Sequence, residues 1–312
     1  MPASKRRFRS GIKKSSTRKS TRGLWLIIFT ALIIFFIYLL ISKTRSVWDD
    51  KTKLSVAVNS ANDAVNVVVL DPQAGEITTI IIPGNTQVEV ARNLGKWQLA
   101  SVWRLGKDEK IGGRLLSESV TNNFSFPIAL WADKEFMNLV GQSPIKLIGG
   151  VVEPFDTRLT LWDKLRIAIF SLKTPAARRV NLDLAKSNLL KRSVFVDGEE
   201  GYVVTGLTSQ SLLAVFADPL FYKAINRVLI VDAAGTRSGL VDDLARTVEV
   251  LGAKVTSITK TDEQDTGCIV KASEKEITKR LVLYFGCEVG DDAPEGTFDI
   301  EIILGNNYQR RL

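Results

Sequence analysis

Histidine is absent from all 312 residues. Its absence removes Ser-His-Asp and Cys-His nucleophile pairs and histidine-ligated zinc together, because each needs an imidazole as base or ligand. The two cysteines cannot make a four-thiolate metal site. Any chemistry must rest on carboxylates, Lys, Arg, Ser, Thr or a borrowed divalent cation. Three groupings have types and spacing that bear on this. The turn AAGTRSG, Ala233 to Gly239, stands between a strand and a helix, where backbone N–H groups can face an anion. It matches neither GxGxxG nor GxxxxGK[ST], so Gly235 and Gly239 read as a tight turn packing a helix on a sheet. The acidic runs at Asp49–Asp50 and Asp291–Asp292 lack the alternating ligand pattern of a calcium loop and read as solvated loops. Cys268 opens a strand, and Cys287 follows the helix that runs back along it, which brings the two ends close. Outside the cytoplasm such a pair can form a disulfide, and the alternative is two buried thiols. Without CxxC spacing no redox-active role is expected.

The elements that hold these residues follow an α/β pattern. RVLIVDA is a buried strand, Leu240 to Gly252 a helix with Leu240, Leu244, Val248 and Leu251 on one face, and AKVTSIT a second strand. The unit then repeats as CIVKA, a helix over Ser273–Gly286 and the strand TFDIEIILG. Ser273 with Glu276 three residues on predicts a capping box. Two βαβ-like units in so short a stretch predict a small α/β sandwich over 226–308. Upstream, Leu54–Asn59, Val65–Asp71 and Ile77–Ile82 are β-rich, the last two joined by the hairpin turn DPQAGE. Helical periodicity appears over Trp97–Leu105 and Ile111–Asn122, followed by a strand, Pro127–Trp131, and a helix near Lys134–Val140. A further helix is expected over Ser209–Tyr222. Leu161, Leu165, Ile169 and Leu172 make an amphipathic helix of Thr160–Leu172. Such a stripe is more often core than a surface lying on a membrane, so core is the expectation.

Gly23 to Ser42 carries no charge over 20 residues, which at about 1.5 Å per residue matches the ~30 Å hydrocarbon core of a bilayer. It ends in bulky residues without a small-residue cleavage site, so it reads as a retained signal-anchor rather than a signal peptide. Nine basic residues and no acidic one precede it, which predicts a single-pass protein with its N-terminus in the cytoplasm and the remainder outside. Of 42 Lys and Arg, those nine leave 33 against 34 acidic residues, a net charge near −1 beyond the tail. No nucleic-acid partner is therefore expected. The predicted organisation is a basic tail (1–22), a transmembrane helix (23–42), a linker (43–53), an α/β domain (54–225) and the small α/β domain (226–308).

The segment LLAVFADPLF leading into RVLIVDAAGTRSGLVDDLARTVEVLGAKVTSI resembles the LytR C-terminal domain, with Ala233 where that family's turn carries Asn. The preceding region is similar in layout to the LytR-CpsA-Psr catalytic domain, which lies outside the membrane and transfers polymers from a polyprenyl-pyrophosphate carrier onto the cell wall. VVVLDPQAGEITTIIIPGNTQVEV is similar to that family's strand, Asp-Pro turn, strand and Ile-Pro-Arg-Asp loop. GKWQLASVWRLG resembles its Lys-Ile-Asn helix start, and FSFPIALWADKEFMNLV its Ile-Pro-x-Asp strand and following helix. The arginines depart: Ile82, Pro83, Gly84 and Asn85 stand for Ile-Pro-Arg-Asp, and Ala61, Asn62, Asp63 and Ala64 for Arg-Ser-Asp-Thr. Asp63 and Lys96 alone match functional positions, and Arg92 or Arg114 are candidate replacement cations. Loss of two fixed positive charges removes the electrostatic stabilisation of a pyrophosphate. The resemblance thus implies a non-catalytic binding or scaffolding protein of cell-wall assembly, without cofactor. Its partners would be the membrane and a wall polymer, a polyprenyl-phosphate lipid or an envelope protein. The alternative it implies is a working polyprenyl-pyrophosphate-dependent phosphotransferase that uses Mg2+.

Overall fold

An uncharged run of Leu, Ile and Phe has no polar face to interrupt it, and it forms helix α1 (Thr21–Lys43). Its described side chains, Trp25 to Ile37, are exposed on every side. The one hydroxyl among them, on Thr30, donates to the Leu26 carbonyl 2.8 Å away. The protein was analysed as a computed structural model that describes residues 21–43, 46–60, 63–195, 198–205, 208–223, 226–235 and 239–309. The basic tail up to residue 20 and the motif positions Ala61 and Asn62 lie outside the described residues. Among the described residues no helix is long and apolar enough to cross a membrane. The predicted span Gly23–Ser42 extends beyond the side chains described for α1. Residues up to Arg45 form one unit and Ser46–Leu312 another.

The second unit is organised around three sheets. β1 (Leu54–Asn59), β2 (Ala64–Asp71) and β3 (Glu76–Pro83) form an antiparallel meander. The turn between β2 and β3 is closed by the Asp71 carboxylate, which accepts from the amides of Gln73 and Ala74. Gly75 there sits at φ +64°, a conformation that disfavours a side chain. β2 shows why these strands read as continuous apolar runs. Val65, Val67 and Val69 enter one core, while Val68 and Leu70 enter another on the opposite face. A strand covered on both sides needs no polar alternation, and each such Val or Leu contributes about 1.5–3 kcal/mol on burial.

Beyond the meander come β4 (Thr86–Glu89), β5 (Lys96–Gln98), α2 (Leu99–Asp108), α3 (Arg114–Phe124), β6 (Leu130–Ala132), α4 (Phe136–Leu139), α5 (Pro144–Val152) and α6 (Leu161–Lys173). β6 pairs parallel with β1, and β7 (Arg179–Asp183) pairs parallel with β3, giving the order β6-β1-β2-β3-β7. Helices α2 and α3 cover one face of this sheet, and α4 to α6 cover the other. β8 (Leu190–Val194) and β9 (Glu200–Val204) join β4 and β5 in a second sheet, β5-β4-β9-β8. The expected helix Ser209–Tyr222 is instead two, α7 (Gln210–Phe216) and α8 (Pro219–Tyr222). Pro219 cannot donate within a helix, and Asp218 caps the restart by accepting from Leu220.

The third sheet holds β10 (Arg227–Ala233), β11 (Lys254–Lys260), β12 (Cys268–Ala272), β13 (Glu288–Val289) and β14 (Ile300–Gly305) in the order β11-β10-β14-β12-β13. α9 (Leu240–Leu251) connects the parallel pair β10/β11, and α10 (Lys275–Phe285) the parallel pair β12/β13. Two βαβ units result, but the second closes on Glu288–Val289 and not on the expected strand TFDIEIILG, whose residues 300–305 form β14. β14 lies between the two units, parallel to β10 and antiparallel to β12, and leads into the short α11 (Asn306–Gln309). The predicted capping box fails. Glu274 occupies the N-cap of α10 without a side-chain cap bond, and the Ser273 hydroxyl turns to the Asp299 carbonyl.

The amphipathic stripe of α6 is the largest departure. Leu161, Leu165, Ile169 and Leu172 are 36% to 56% exposed, while Asp163, Lys164, Ile167, Ala168 and Ser171 are buried. Periodicity groups residues on a face without saying which face turns inward. Here the inward side is chosen by Asp163, which is fully buried and accepts from Ser46 Oγ (2.5 Å), Val47 N (3.1 Å), Trp48 N (3.1 Å) and Thr160 N (2.9 Å). Thr160 caps α6 in return.

Candidate functional site

The far end of the β2–β3 hairpin, away from its turn, carries the positions singled out by the family resemblance. Ala64 pairs with Pro83 there, so Asp63 just before β2 and Gly84–Asn85 just after β3 are neighbours. Asp63 takes a left-handed backbone conformation, φ +47°. A Cβ on Gly84 would lie 1.9 Å from the Asp63 carbonyl oxygen and 2.8 Å from Ala100 Cβ. Only glycine fits, because backbone and a helix residue already fill the space.

The start of α2 closes the site from the other side. The Ala100 amide donates to the Gly84 carbonyl at 2.9 Å. Asp63, Gly84, Asn85, Gln98, Ala100, Ser101 and Arg104 line an open cavity of about 440 Å³. Asn85 is held by the second sheet: its Nδ2 donates to the Glu200 carbonyl at 3.0 Å and its carbonyl accepts from Tyr202 N at 3.2 Å. Gln98 donates to Glu199 at 2.6 Å. The cavity therefore offers one carboxylate, Asp63, and one guanidinium, Arg104, both solvated. Arg104 follows Ala100 by one helical turn, so helix spacing from the Gly84 contact would have placed it there; without that contact nothing distinguished it.

The other sequence-derived candidates lie elsewhere. Lys96 is exposed on β5 in register with Glu89. Arg92 and Arg114 converge on the same acid: Arg92 Nε and Nη2 donate to Glu118 at 2.8 and 3.0 Å, and Arg114 Nε donates to it at 2.7 Å. Glu118 projects from α3, so both cations are committed to its carboxylate. Arg114 also borders a cavity of about 50 Å³ with Trp131, Arg158 and Tyr284. Neither Arg92 nor Arg114, the candidate replacements for the missing arginines of the loop, borders the Asp63 cavity. Among the described residues no group of three or more Cys, Asp or Glu side chains could hold a metal ion. Cys268 and Cys287 are joined by a disulfide with their Cα atoms 4.5 Å apart, linking the start of β12 to the residue before β13.

No family model matches the chain. No curated protein matches it. Several solved structures are similar at low identity. TagV of B. subtilis is 13% identical with a TM-score of 0.36, over 51% of this chain and 92% of that one. TagT bound to LI-WTA is 12% identical with a TM-score of 0.37, over 52% of this chain and 89% of that one. The transcriptional regulator yvhJ from Bacillus subtilis is 15% identical with a TM-score of 0.37, over 54% of this chain and 95% of that one. Likeness at this level establishes no activity, ligand or site for this chain.

Proposed function

We propose that the chain is an envelope protein anchored by the apolar run at 23–42, with residues 46–312 on the outer side of the membrane, that serves cell-wall assembly by binding or scaffolding rather than by catalysis. The reading takes 54–225 as a LytR-CpsA-Psr-like domain without its catalytic cations and 226–308 as a LytR C-terminal-like domain. The observation that carries it is the space at Gly84. Where the family places an arginine, the Asp63 carbonyl stands 1.9 Å from any Cβ, so a guanidinium cannot be presented from that position without moving the hairpin end. A binding site tolerates a single cation such as Arg104, whereas stabilising the charge that develops on a transferring phosphoryl group calls for several fixed donors.

The common cavity of Asp63 and Arg104 favours a second reading, a polyprenyl-pyrophosphate-dependent phosphotransferase in which Asp63 holds Mg2+ and Arg104 supplies the charge. One experiment separates them. The full chain is given a polyprenyl-pyrophosphate lipid with and without Mg2+, and binding and phosphate release are followed alongside Asp63→Ala and Arg104→Gln. Binding without release supports the proposal. Release that requires Mg2+ and disappears in Asp63→Ala overturns it in favour of the transferase.

A further inference from the structure

Helices α5 and α6 pack against each other and send one face of each into the core, through Leu147 on α5 and Ile167 and Ala168 on α6. Their outward faces are apolar as well. Ile145, Ile148 and Val152, at i, i+3 and i+7 of α5, are 67% to 82% exposed. On α6, which packs against α5, Leu161, Leu165, Ile169 and Leu172 are exposed too. In α5, PIKLIGGVV, Lys146 is the one polar side chain. A helix apolar all round calls for apolar surroundings all round, and single exposed apolar residues are common where seven on two packed helices are not.

We propose that the α5–α6 face lies in the interfacial layer of a phospholipid bilayer. The proposal rests on the anchored reading above, and two further observations select a bilayer as the occupant. The chain leaving α1 is fastened to α6: Ser46, Val47 and Trp48 all donate to Asp163 in its first turn, and Arg166 Nη1 returns to the Trp48 carbonyl at 2.6 Å. Ser46 follows Lys43, the last residue of α1, by three residues, which reach at most about 11 Å when fully extended. The segment that follows α1 in sequence is therefore fastened to the helix that carries these residues. Its margin also has headgroup chemistry. Trp162 borders the stripe with the Arg166 guanidinium 5.6 Å from its ring, and Lys146 and Lys173 are exposed beside it. An indole and cations around an apolar face suit the boundary between acyl chains and phosphates.

The test uses the full chain in vesicles of phosphatidylcholine with phosphatidylglycerol. A nitroxide is attached at Ile148→Cys or Ile169→Cys, and at Lys275→Cys on α10 as the aqueous control; the native cysteines are tied in their disulfide. Collision with dissolved oxygen and with a water-soluble nickel chelate reports depth. The expected result is an oxygen-to-nickel preference at 148 and 169 inverted relative to 275. Nickel access at 148 and 169 equal to that at 275 overturns the proposal. Loss of both collisions also overturns it, because the face is then covered by protein, either a second copy or another partner. Alkaline carbonate extraction reads the anchor separately. Labels in lipid before extraction on a chain that extraction then releases would refute the anchor and leave the docked face standing.

Discussion

The carboxylate of Asp163 in the first turn of α6 accepts the backbone amide of Trp48, 115 residues earlier, at 3.1 Å. This bond fixes where the chain enters the folded unit, and the Trp48 ring then closes edge-on against Phe170 at 5.9 Å. Asp163→Ala leaves the Ser46, Val47 and Trp48 donors without their acceptor. The expected loss is about 3 kcal/mol, since hydrogen bonds to a charged group are worth about 1.5–3 kcal/mol each and the donors are only partly compensated by water. Urea unfolding of the wild-type and variant chains measures it, and equal midpoints would contradict the clamp.

Arg280 on α10 pairs with Asp218 at 3.1 Å, both side chains at most 7% exposed, and also donates to the Lys53 carbonyl. Burial alone would lower the guanidinium pKa, but Tyr284, Asp218 and Asp49 together hold it raised. Arg280→Met strands a buried carboxylate, with an expected cost of about 3–5 kcal/mol. Adding Asp218→Asn should restore part of that loss. A double-mutant cycle on unfolding free energies gives the coupling, and additive losses would show that the pair does not act as one.

Gly84→Ala introduces a Cβ where the Asp63 carbonyl and Ala100 already stand. Overpacking of this kind costs about 1–3 kcal/mol. The melting temperature should fall, while Gly267→Ala, at a glycine with open space around its Cβ position and no left-handed backbone, should leave it nearly unchanged.

Lys164 is buried against the Phe155 ring, and burial lowers its pKa below the usual lysine value. A lysine with a lowered folded-state pKa loses its proton first in the folded chain. Between that pKa and the unfolded value near 10.5, the unfolded chain binds more protons, so stability from this group rises with pH across the window. Subtracting the profile of Lys164→Met from that of the wild type isolates the rise. A difference that is flat, or falls with pH, would refute the assignment.

Replacing both Cys268 and Cys287 by Ala opens a loop with a sequence separation of 19, which should cost about 3 kcal/mol. Chemical denaturation of the oxidised wild-type and doubly substituted chains checks this.

What could be read from the sequence follows from how local each cause is. The β2–β3 hairpin was legible because its β-branched run and its Asp71 and Gly75 turn are contiguous. The first βαβ unit and the helix of the second were legible because each helix carries its own 3.6-residue period; the closing strand of the second was not, because β13 has two residues and both are exposed. The second sheet was not: β5 has three residues, β8 reads LKRSV with three of five exposed or nearly so, and Thr86 finds its partner in Tyr202, 116 positions on. The inward face of α6 was misjudged for the same reason, since the donors that bury Asp163 come from Ser46–Trp48. At the candidate site Asp63 was visible through its motif. Arg104 was not, because its place depends on the Ala100 amide meeting the Gly84 carbonyl.

The place of β14 has a consequence for biogenesis. While the chain is being made, β10 and β12 leave the ribosome before the strand that pairs with both. Each half of that sheet therefore waits with a bare edge, a ready template for pairing with other nascent chains. Both edges stay open until residues 300–305 arrive and close them together. A stop codon anywhere before Ile300 yields a product that protein quality control can recognise as unfinished from those same unpaired edges.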